Sequence, residues 1–529
     1  MSLVSSSPST VRDSVYDVLR QFGVDTIFGN PGSTELPMFR DFPADIQYVL
    51  GLQEAVCVGM ADGYAHATGK VAFVNLHSAA GVGNGMGNIY TAFKNRTPLV
   101  IIAGQQSRSI LPFDPYLASE QATELPKPYV KWSIEPARAE DVPQAIATAC
   151  HRALQAPCGP VLVSVPSDDW DMPASPVAMR HVSRRTRPDA EGIAALLDAL
   201  AGSERPALVV GAEVEREGAW DEIVRFAERY RSPVYNAPMS ARAGFPEDHR
   251  LFHGFLPAVR AQIVQKLAGH DLIVVIGAPV FTYHVEGAGA HTPPGAQLWQ
   301  VTEDAEAAAR APVGSSVVGN VRFALQDLLA VEPVRQRPWP PARTRPDRVE
   351  GGAPMDVAFL LQTLADVRSP DDILVEEAPT ARVVMHQHLP ILKPQTFFTM
   401  ASGGLGYGMP AAAGVALARR DRRVICLIGD GSSMYSIQTL WTAAQLGLNM
   451  TIVVVNNRRY GAMKRFGGVL GFPAGAVLPG TDLPGIDFVA LAQGHGVPGE
   501  RVQDASQLRS ALASALASTG PALVEVLVA

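Results

Sequence analysis

The sequence has few cysteines, no excess of basic charge and no long apolar run. Its four cysteines (Cys57, Cys150, Cys158 and Cys426) form no metal-type pair among 529 residues, which favours a reducing compartment over a disulfide-built fold. A net charge of −7 argues against nucleic-acid or anionic-membrane partners. No run approaches the roughly 20 apolar residues of a membrane span, and the N-terminus shows no secretory signal. We therefore expect a soluble, cytoplasmic protein.

The composition is that of a large globular α/β protein. Apolar residues make up 47% and charged residues 18% of the chain, and a chain of this length corresponds to about three domains. Strand-like runs alternate with helix-like runs, which predicts doubly wound parallel sheets. A composition break at 166–190 and a Pro- and Arg-rich segment at 333–354, typical of an exposed linker, predict domains at 1–180, 181–340 and 350–529.

The first and third of these segments end alike. Residues 159–165 read Gly-Pro-Val-Leu-Val-Ser-Val, and residues 520–526 read Gly-Pro-Ala-Leu-Val-Glu-Val. This similarity suggests two related folds around a different middle domain, although seven residues can also match by chance. The middle segment has strand-like runs at 207–211 and 272–276 but no Gly-x-Gly-x-x-Gly fingerprint, so nothing there indicates a bound dinucleotide.

The region 424–457 predicts a strand, a helix and a second strand. The apolar run 424–428 ends in glycine, as a buried parallel strand does. Apolar residues at helical spacing then predict a helix over 434–447, with Gly447 as its C-cap. Residues 451–455 are β-branched and predict the next strand.

Polar side chains follow both predicted strands. Gly429-Asp430-Gly431 follows the first, and Asn456-Asn457 follows the second, 24 residues later. Asp430 and Asn457 are therefore expected at the carboxyl ends of neighbouring strands, where open α/β sheets bind ligands. Carboxylate and amide oxygens suit a hard divalent cation that keeps part of its shell for phosphates. An ordinary βαβ crossover with a glycine turn is the alternative.

Two features of the N-terminal segment are candidates for a site. Residues 28–33 (Phe-Gly-Asn-Pro-Gly-Ser) form a tight polar turn after a short strand, although simple βα loops often read this way. Glu54 lies among apolar residues, just before 59–65, which reads as a helix packed closely through small residues. A lone helical Glu is usually on the surface. If Glu54 is buried, it needs a partner, and burial raises the pKa of a carboxyl group.

Together these motifs resemble those of the thiamine-diphosphate enzymes. Over nearly the full length, the order and spacing of short motifs are similar to the benzoylformate decarboxylase family. The motifs that carry the resemblance are 30–33, 52–54, 76–81, 104–106, 276–281 with His284, 403–406, 441–445 and 483–488.

The resemblance implies an α/β fold of three doubly wound parallel-sheet domains, named PYR, middle and PP. It implies thiamine diphosphate and Mg²⁺ as cofactors, with Ca²⁺ as a possible substitute. In the family, Glu54 and the metal site that serve one cofactor come from different subunits. A homodimer is therefore implied, and a homotetramer is usual.

Residue by residue, the resemblance assigns roles at the cofactor. The Glu54 carboxyl group would form a hydrogen bond to N1′ of the aminopyrimidine and favour its imino tautomer. Gly403 would accept a hydrogen bond from the aminopyrimidine, and Leu405 would hold the cofactor bent. The metal ligands would be Asp430, Asn457 and the carbonyl of Arg459. Diphosphate contacts would come from Thr380, Gly431, Ser432 and Tyr460.

The resemblance also assigns roles at the substrate. His77 and His284 match a proton-transfer pair, although a single His is more often structural. Ser33 matches the residue that binds the substrate carboxylate; a neutral hydroxyl suits a group whose charge must disappear. The side group of the substrate would meet an apolar pocket, although ordinary core packing explains the same residues: Leu111, Phe113, Ala462, Met463, Phe466 and Thr481.

Some positions depart from the family pattern. Pro379 stands where the family places a hydroxyl residue, and Glu376 replaces an amide. Residues 471–481 are about three residues longer than expected, and Thr481 replaces a leucine that covers the substrate. Glu124 and Lys127 differ from the residues that hold a peripheral metal in the family, so no second metal is expected.

The function implied is the non-oxidative decarboxylation of an aromatic 2-oxo acid, benzoylformate or a close arylglyoxylate, to an aldehyde and CO₂ through a thiamine ylid and an enamine, as in mandelate breakdown. The alternatives are a carboligase or aldehyde lyase with the same cofactor, or a decarboxylase of a branched aliphatic 2-oxo acid. An acetohydroxyacid synthase would be expected to bind FAD. A non-catalytic subunit would be expected to lose Glu54 or the histidines.

Overall fold

A computed structural model describes residues 9–529 and places eighteen strands in three six-stranded sheets. Residues 1–8, the start of the predicted first domain, lie outside this described part. Every pairing between named strands is parallel. The predicted fold class of doubly wound parallel sheets is confirmed, while the exact boundaries between the domains stay a prediction.

The first sheet has the strand order β2-β1-β3-β4-β6-β5. Its strands are β1 (Thr26–Asn30), β2 (Gln47–Leu50), β3 (Ala72–Leu76), β4 (Leu99–Gln105), β5 (Ser133–Ile134) and β6 (Val161–Pro166). It packs against α1 (Val11–Gln21), α2 (Glu54–Thr68), α3 (Ser78–Asn95) and α4 (Val142–Leu154), and three 3₁₀ helices lie at Leu36–Phe39, Leu111–Phe113 and Ala139–Asp141.

The middle sheet has the order β12-β11-β10-β7-β8-β9. Its strands are β7 (Pro206–Val210), β8 (Val234–Asn236), β9 (Phe252–Phe255), β10 (Leu272–Ile276), β11 (Gln297–Thr302) and β12 (Ser315–Val318). Its helices are α5 (Ala190–Gly202), α6 (Ala212–Arg216), α7 (Trp220–Tyr230), α8 (Arg260–Lys266), α9 (Ala305–Ala309) and α10 (Val321–Leu329). The predicted strands at 207–211 and 272–276 correspond to β7 and β10.

The third sheet has the order β14-β13-β15-β16-β18-β17. Its strands are β13 (Ile373–Glu377), β14 (Phe397–Thr399), β15 (Val424–Gly429), β16 (Met450–Asn456), β17 (Gly499–Val502) and β18 (Ala522–Leu527). Its helices are α11 (Val357–Val367), α12 (Arg382–His388), α13 (Gly408–Ala418), α14 (Asp430–Ser433), α15 (Thr439–Gln445), α16 (Gly461–Val469), α17 (Phe488–Gly494) and α18 (Ala505–Ala517).

The first and third sheets have the same topology. In both, counting from one edge, the strands follow the chain order second, first, third, fourth, sixth and fifth. The similar segments 159–165 and 520–526 fall on β6 and β18, the sixth strand of each sheet. The prediction of two related folds around a different middle domain is confirmed.

The prediction of one helix over 434–447 is wrong in part. The structure has the short α14, then a turn over 434–438, and only then α15. The turn brings Tyr435 against Gly406, where an added Cβ would lie 2.9 Å from the Cβ of Tyr435. Contact with another segment therefore overrides the local helical spacing. Gly447 follows the end of α15 with φ +56, as its predicted capping role requires.

Helix α2 packs directly on α13, so the first and third domains of one chain share an interface. An added Cβ on Gly63 would lie 2.1 Å from the carbonyl oxygen of Ala411, and one on Gly414 would lie 1.9 Å from that of Met60. Only glycine permits such an approach of two backbones. The prediction that 59–65 is a closely packed helix is confirmed.

The predicted linker 333–354 contains no helix or strand and is mostly exposed. Arg337 is an exception, because it is buried and donates hydrogen bonds to the carbonyls of Leu200 (2.6 Å) and Ser203 (2.8 Å). This contact attaches the linker to the middle domain. No helix within residues 9–529 is both long and apolar enough to cross a membrane.

Candidate active site

Asp430 and Asn457 lie at the ends of adjacent strands, β15 and β16, which pair through Gly429 and Val455. Asp430 Oδ1 accepts a hydrogen bond from the Gly431 amide at 2.7 Å. Asp430 Oδ2 and Asn457 Oδ1 both accept from the Arg459 amide, each at 3.2 Å. Because the two oxygens share one donor, they lie close together at this edge of the sheet.

The donor set at this edge fits a hard divalent cation. Burial raises the pKa of the Asp430 carboxyl group, while backbone amides, that of Gly431 first, act to lower it. The carbonyl of Arg459, the third predicted ligand, accepts one hydrogen bond, from the Gly461 amide at 2.9 Å, and keeps a second lone pair. A carboxylate, an amide and a carbonyl oxygen are ligands that Mg²⁺ accepts.

The four predicted diphosphate contacts surround these oxygens. A Cβ added to Gly431 would lie 2.3 Å from the ring of Tyr460, so this ring packs on bare backbone. A Cβ added to Gly461 would lie 2.9 Å from Asn457 Nδ2 and 3.1 Å from Thr380 Oγ1. Ser432 is buried beside Asp430. The structure therefore brings together Asp430, Asn457, Arg459, Thr380, Gly431, Ser432 and Tyr460.

Gly403 and Leu405 lie on a turn between β14 and α13. Gly403 has φ +74 and Gly406 has φ +100, conformations that glycine adopts without strain. Leu405 is half-buried and packs on the large core that the first and third domains share. A Cβ added to Gly403 would meet nothing within 4 Å, so the backbone there is open to a ligand.

Glu54 is the first residue of α2 and is half-buried in the single chain. The burial that its apolar sequence neighbours suggested is therefore only partial. Its Oε2 accepts a hydrogen bond from Asn84 Nδ2 at 3.1 Å. Among the described residues, no hydrogen bond joins Glu54 to the turn of Gly403 or to Asp430. Leu52 beside it is 44% exposed.

His77 is held by a buried acid that sequence reasoning missed. Its Nδ1 lies 2.9 Å from Glu35 Oε2 and 3.0 Å from Thr34 Oγ1. Glu35 also accepts hydrogen bonds from the Gly32 amide (2.8 Å) and the Thr34 hydroxyl (2.7 Å). A Cβ on Gly32 would lie 2.3 Å from His77 Nδ1, so the imidazole packs on the turn that exposes Ser33.

His284 makes no hydrogen bond to His77 in the part of the chain that the structure describes. Its amide donates to the carbonyl of Ala258 at 2.9 Å, and its exposed ring lies 5.0 Å from the ring of Phe466 on α16. The middle domain thus presents His284 to the third domain, while His77 belongs to the first. Among residues 9–529, no hydrogen bond joins the side chains of Glu54, His77 and Asp430 to one another.

Two of the predicted pocket residues are strongly exposed. Phe113, on the 3₁₀ helix Leu111–Phe113, is 79% exposed, and Met463 on α16 is 57% exposed. Ordinary core packing therefore does not explain these two side chains. Thr481 is buried, and its hydroxyl donates to the carbonyl of Leu478 at 2.7 Å within the longer segment 471–481.

Three sequence profiles match the chain in order. They are described as thiamine pyrophosphate enzyme N-terminal TPP binding domain (residues 9–124), central domain (193–328) and C-terminal TPP binding domain (379–526). Each profile matches most strands of one sheet, and β5, β6 and β13 lie outside the matched ranges.

Three proteins illustrate how far the likeness extends. Benzoylformate decarboxylase of Pseudomonas aeruginosa is 44% identical over 98% of this chain and 98% of its own length. The crystal structure of benzoylformate decarboxylase from Polynucleobacter necessarius superposes with a TM-score of 0.96 at 40% identity, over 98% of each chain. The 4-hydroxybenzoylformate decarboxylase of Rhodococcus jostii has a TM-score of 0.94 at 42% identity, over 98% of this chain and 99% of that one.

Proposed function

The chain belongs to the thiamine pyrophosphate enzyme family, and from that membership we propose that it decarboxylates an aromatic 2-oxo acid, benzoylformate or a close arylglyoxylate, to an aldehyde and CO₂ without oxidation. Full-length likeness to benzoylformate and 4-hydroxybenzoylformate decarboxylases supports this substrate class. In the structure, the observation that carries the proposal is His77 fixed by Glu35 beside Ser33, because decarboxylation needs a placed proton carrier next to a carboxylate site.

The proposed cofactors are thiamine diphosphate and Mg²⁺. Asp430, Asn457 and the Arg459 carbonyl would hold the metal, and the surrounding side chains of Thr380, Ser432 and Tyr460 would hold the diphosphate. Open backbone at Gly403 suits the aminopyrimidine, with Leu405 beneath it. The chemistry that bound thiamine diphosphate supplies is a nucleophilic carbon that also accepts the electron pair left by departing CO₂.

Glu54 is proposed to hold a proton at N1′ of the aminopyrimidine. Its half-buried position beside exposed Leu52 suits a site that a second copy of the chain completes. We therefore propose a homodimer at minimum, and a homotetramer as the assembled form. All four cysteines are free thiols, which suits a reducing compartment, and we place the enzyme in the cytoplasm.

The remaining residues bind the substrate and move protons. The Ser33 hydroxyl would bind the substrate carboxylate without a full ion pair, so that loss of its charge is not opposed. His77 and His284 would supply the two proton transfers, one at the keto oxygen and one at the carbon that loses CO₂. Since Nδ1 of His77 is committed to Glu35, Nε2 is the nitrogen available to the substrate.

The pocket residues favour an aromatic side group. Phe466 lies against His284, and Phe113 and Met463 offer exposed apolar surface. An aromatic ring would cover this surface better than the methyl group of pyruvate does. A branched aliphatic 2-oxo acid is the alternative substrate, and joining of aldehydes by the same cofactor is the alternative reaction.

A substrate comparison tests the proposal. Apoprotein is reconstituted with thiamine diphosphate and Mg²⁺, and loss of benzoylformate, 4-hydroxybenzoylformate, pyruvate and 2-oxoisovalerate is followed in parallel, with aldehyde and coupled hydroxyketone products separated by chromatography. We expect an arylglyoxylate to react fastest and to give mainly aldehyde. Faster turnover of pyruvate or 2-oxoisovalerate would overturn the substrate class, and mainly hydroxyketone would overturn the reaction.

Glu54→Gln is the control for cofactor chemistry in the same assay. The amide cannot supply the carboxyl proton, so we expect all four substrates to slow by at least about 100-fold, since placed acid–base groups contribute roughly 10²–10⁴-fold. Near-normal rates in this variant would refute the role of Glu54 while leaving the substrate ranking intact.

A further inference from the structure

Glu377 is a buried acid to which the proposed chemistry assigns no step. It is the last residue of β13, and its side chain is fully buried, as is that of the preceding Glu376. Successive strand residues point to opposite faces of a sheet, so these two acids have different surroundings. Buried carboxyl groups require hydrogen-bond partners, and the partners of Glu377 lie in the cofactor site.

Both carboxylate oxygens of Glu377 bind the turn that carries Gly403 and Leu405. Oε1 accepts from the Gly406 amide at 2.7 Å, and Oε2 accepts from the Gly408 amide in a short hydrogen bond. A Cβ added to Gly408 would lie 2.6 Å from the Cβ of Glu377, so the turn rests directly on the end of β13.

Other contacts also hold this turn: the Gly404 amide donates to Ser402 Oγ at 3.0 Å, and Tyr435 packs against Gly406. Gly403 and Gly406 both have left-handed φ values, and glycine is the most flexible residue in the unfolded chain. The carbonyl of Gly406 accepts a hydrogen bond from Asn88 Nδ2 at 3.2 Å. The Gly406 residue is therefore held at its carbonyl by the first domain and at its amide by Glu377.

Glu377 also lies beside the segment of the predicted diphosphate contacts, because it pairs with Ile428 on β15, two residues before Asp430. Burial raises the pKa of Glu377 to about 7, while the amides of Gly408 and Gly406 and the hydroxyl of Ser432 act to lower it. Ser432 follows Asp430 by two residues. One acid therefore lies between the segment for the aminopyrimidine and the segment for the diphosphate.

We propose that Glu377 is a positioning residue that fixes the turn of residues 403–408 relative to the diphosphate-binding segment. It thereby sets the distance between the two protein segments that bind the two ends of the cofactor. Above about pH 7, where the Glu377 carboxyl group is ionised, its hydrogen bonds to the two amides are about twice as strong as neutral ones. Removal of the acceptor would leave buried amides unpaired. The inference rests on the proposed cofactor site and does not depend on which 2-oxo acid is the substrate.

Titration of apoprotein with thiamine diphosphate in the presence of Mg²⁺, followed by calorimetry without substrate, tests this role. In Glu377→Gln, one acceptor oxygen is replaced by an NH₂ group that faces a backbone N–H. We expect the Kd for thiamine diphosphate to rise about tenfold, equivalent to about 1.4 kcal/mol. At saturating cofactor, we expect kcat to fall at least tenfold while the KM of the 2-oxo acid stays within about twofold.

Glu376→Gln is the matched control, because Glu376 is equally buried but has other partners. It accepts from the Ala378 amide (2.5 Å), Arg382 Nε (2.7 Å) and the Thr399 hydroxyl (3.0 Å), and none of these lies on the 403–408 turn. We expect this variant to lower the Tm and to leave the Kd for thiamine diphosphate within about twofold.

Glu377→Asp provides a second variant, since its shorter side chain cannot reach both amides and should weaken cofactor binding in the same direction. Parent-like Kd and kcat in Glu377→Gln, or an equal loss of cofactor affinity in Glu376→Gln, would overturn the proposal. If neither Glu377 variant yields a cooperatively folded protein, Glu377 is a residue of the fold and the positioning role is refuted. A failure of the substrate comparison alone leaves this result unaffected.

Discussion

At the scale of single residues, the site depends on buried acids that are bound mainly by backbone amides and hydroxyl groups. Glu35 is an example: it is 2% exposed and binds an imidazole, a hydroxyl and a backbone amide in place of an arginine or lysine. Because the partners are close in sequence except for His77, the turn after β1 and the start of α3 are tied together by one side chain. The orientation of the imidazole therefore depends on Glu35.

Glu35→Gln should impair this orientation. The single amide oxygen can take the place of Oε2, which contacts His77 Nδ1 and the Gly32 amide, or that of Oε1, which accepts from the Thr34 hydroxyl, so one of these two positions loses its acceptor. We expect kcat/KM to fall about 10–100-fold, because a misplaced imidazole loses part of the roughly 10²–10⁴-fold contribution of a proton-transfer group.

Steady-state kinetics and thermal unfolding of the same samples check this expectation. Glu332→Gln, at a side chain that is 84% exposed, is the matched control and should behave like the parent. Substitutions of core residues distant from the site serve as a second comparison. If they lower kcat/KM as much as Glu35→Gln does for the same drop in Tm, Glu35 acts only through folding.

The residues that sequence alone identified are those tied to a local motif. Asp430 and Asn457 follow buried strands at fixed spacing, so their proximity follows from the βαβ unit. Glu35 and Glu377 could not be recognised in this way, because their burial depends on distant segments that cover them. An acid after a strand reads as a surface residue until its partners are known.

At the scale of elements, the contact between α2 and α13 sets the position of Glu54. Glu54 is the first residue of α2, and glycines on both helices let the backbones touch. A change in the spacing between these helices would therefore move Glu54 relative to the third domain.

Gly63→Ala should disturb this contact. Its Cβ would lie 2.1 Å from the carbonyl oxygen of Ala411, so the helices must separate. Overpacking costs typically 1–3 kcal/mol, and we expect a drop in Tm of several degrees together with lower activity. Differential scanning fluorimetry and an activity assay check both effects.

Gly202→Ala is the control for the propensity effect of alanine. Gly202 ends α5, and a Cβ there meets nothing within 4 Å. We expect no loss of stability, since alanine is the better helix former by about 1 kcal/mol. If Gly63→Ala keeps the same Tm and activity as Gly202→Ala, the close approach of α2 and α13 is needed for neither stability nor activity.

Helices and strands were predictable where the local pattern and the tertiary contacts agree. The strands around Asp430 and Asn457 match the structure within one residue at each end. The prediction of a helix over 434–447 fails at its start, where Tyr435 contacts Gly406 and residues 434–438 form a turn. Such a contact between segments that are distant in sequence leaves no local signal.

At the scale of the whole molecule, each domain contains a buried acid of unusual proton affinity. Burial raises the pKa values of Asp62, Glu213 and Glu377 to about 7 in each case. Between the ordinary pKa near 4 and this value, the folded chain keeps protons that the unfolded chain has released. Stability from these groups is therefore present below about pH 4 and lost as the pH rises through about 7.

Asp62→Asn should remove one of these contributions. Asp62 accepts from the Thr97 hydroxyl at 2.9 Å, which an amide oxygen can replace without a buried charge. We expect the difference between the Tm of the variant and the Tm of the parent to increase in favour of the variant as the pH rises from 5 to 8. Thermal unfolding of both apoproteins across this range measures the difference. A difference that stays constant with pH would contradict the assigned proton affinity of Asp62.

The shared strand order of the first and third sheets has an evolutionary consequence. A chain with two copies of one topology is what duplication of an ancestral module produces, with the middle domain inserted between the copies. The two copies carry different parts of the proposed site: one carries Glu54, and the other carries Asp430 just after β15. In the proposed homodimer, four modules with this strand order are present, and each proposed catalytic centre uses one of each kind.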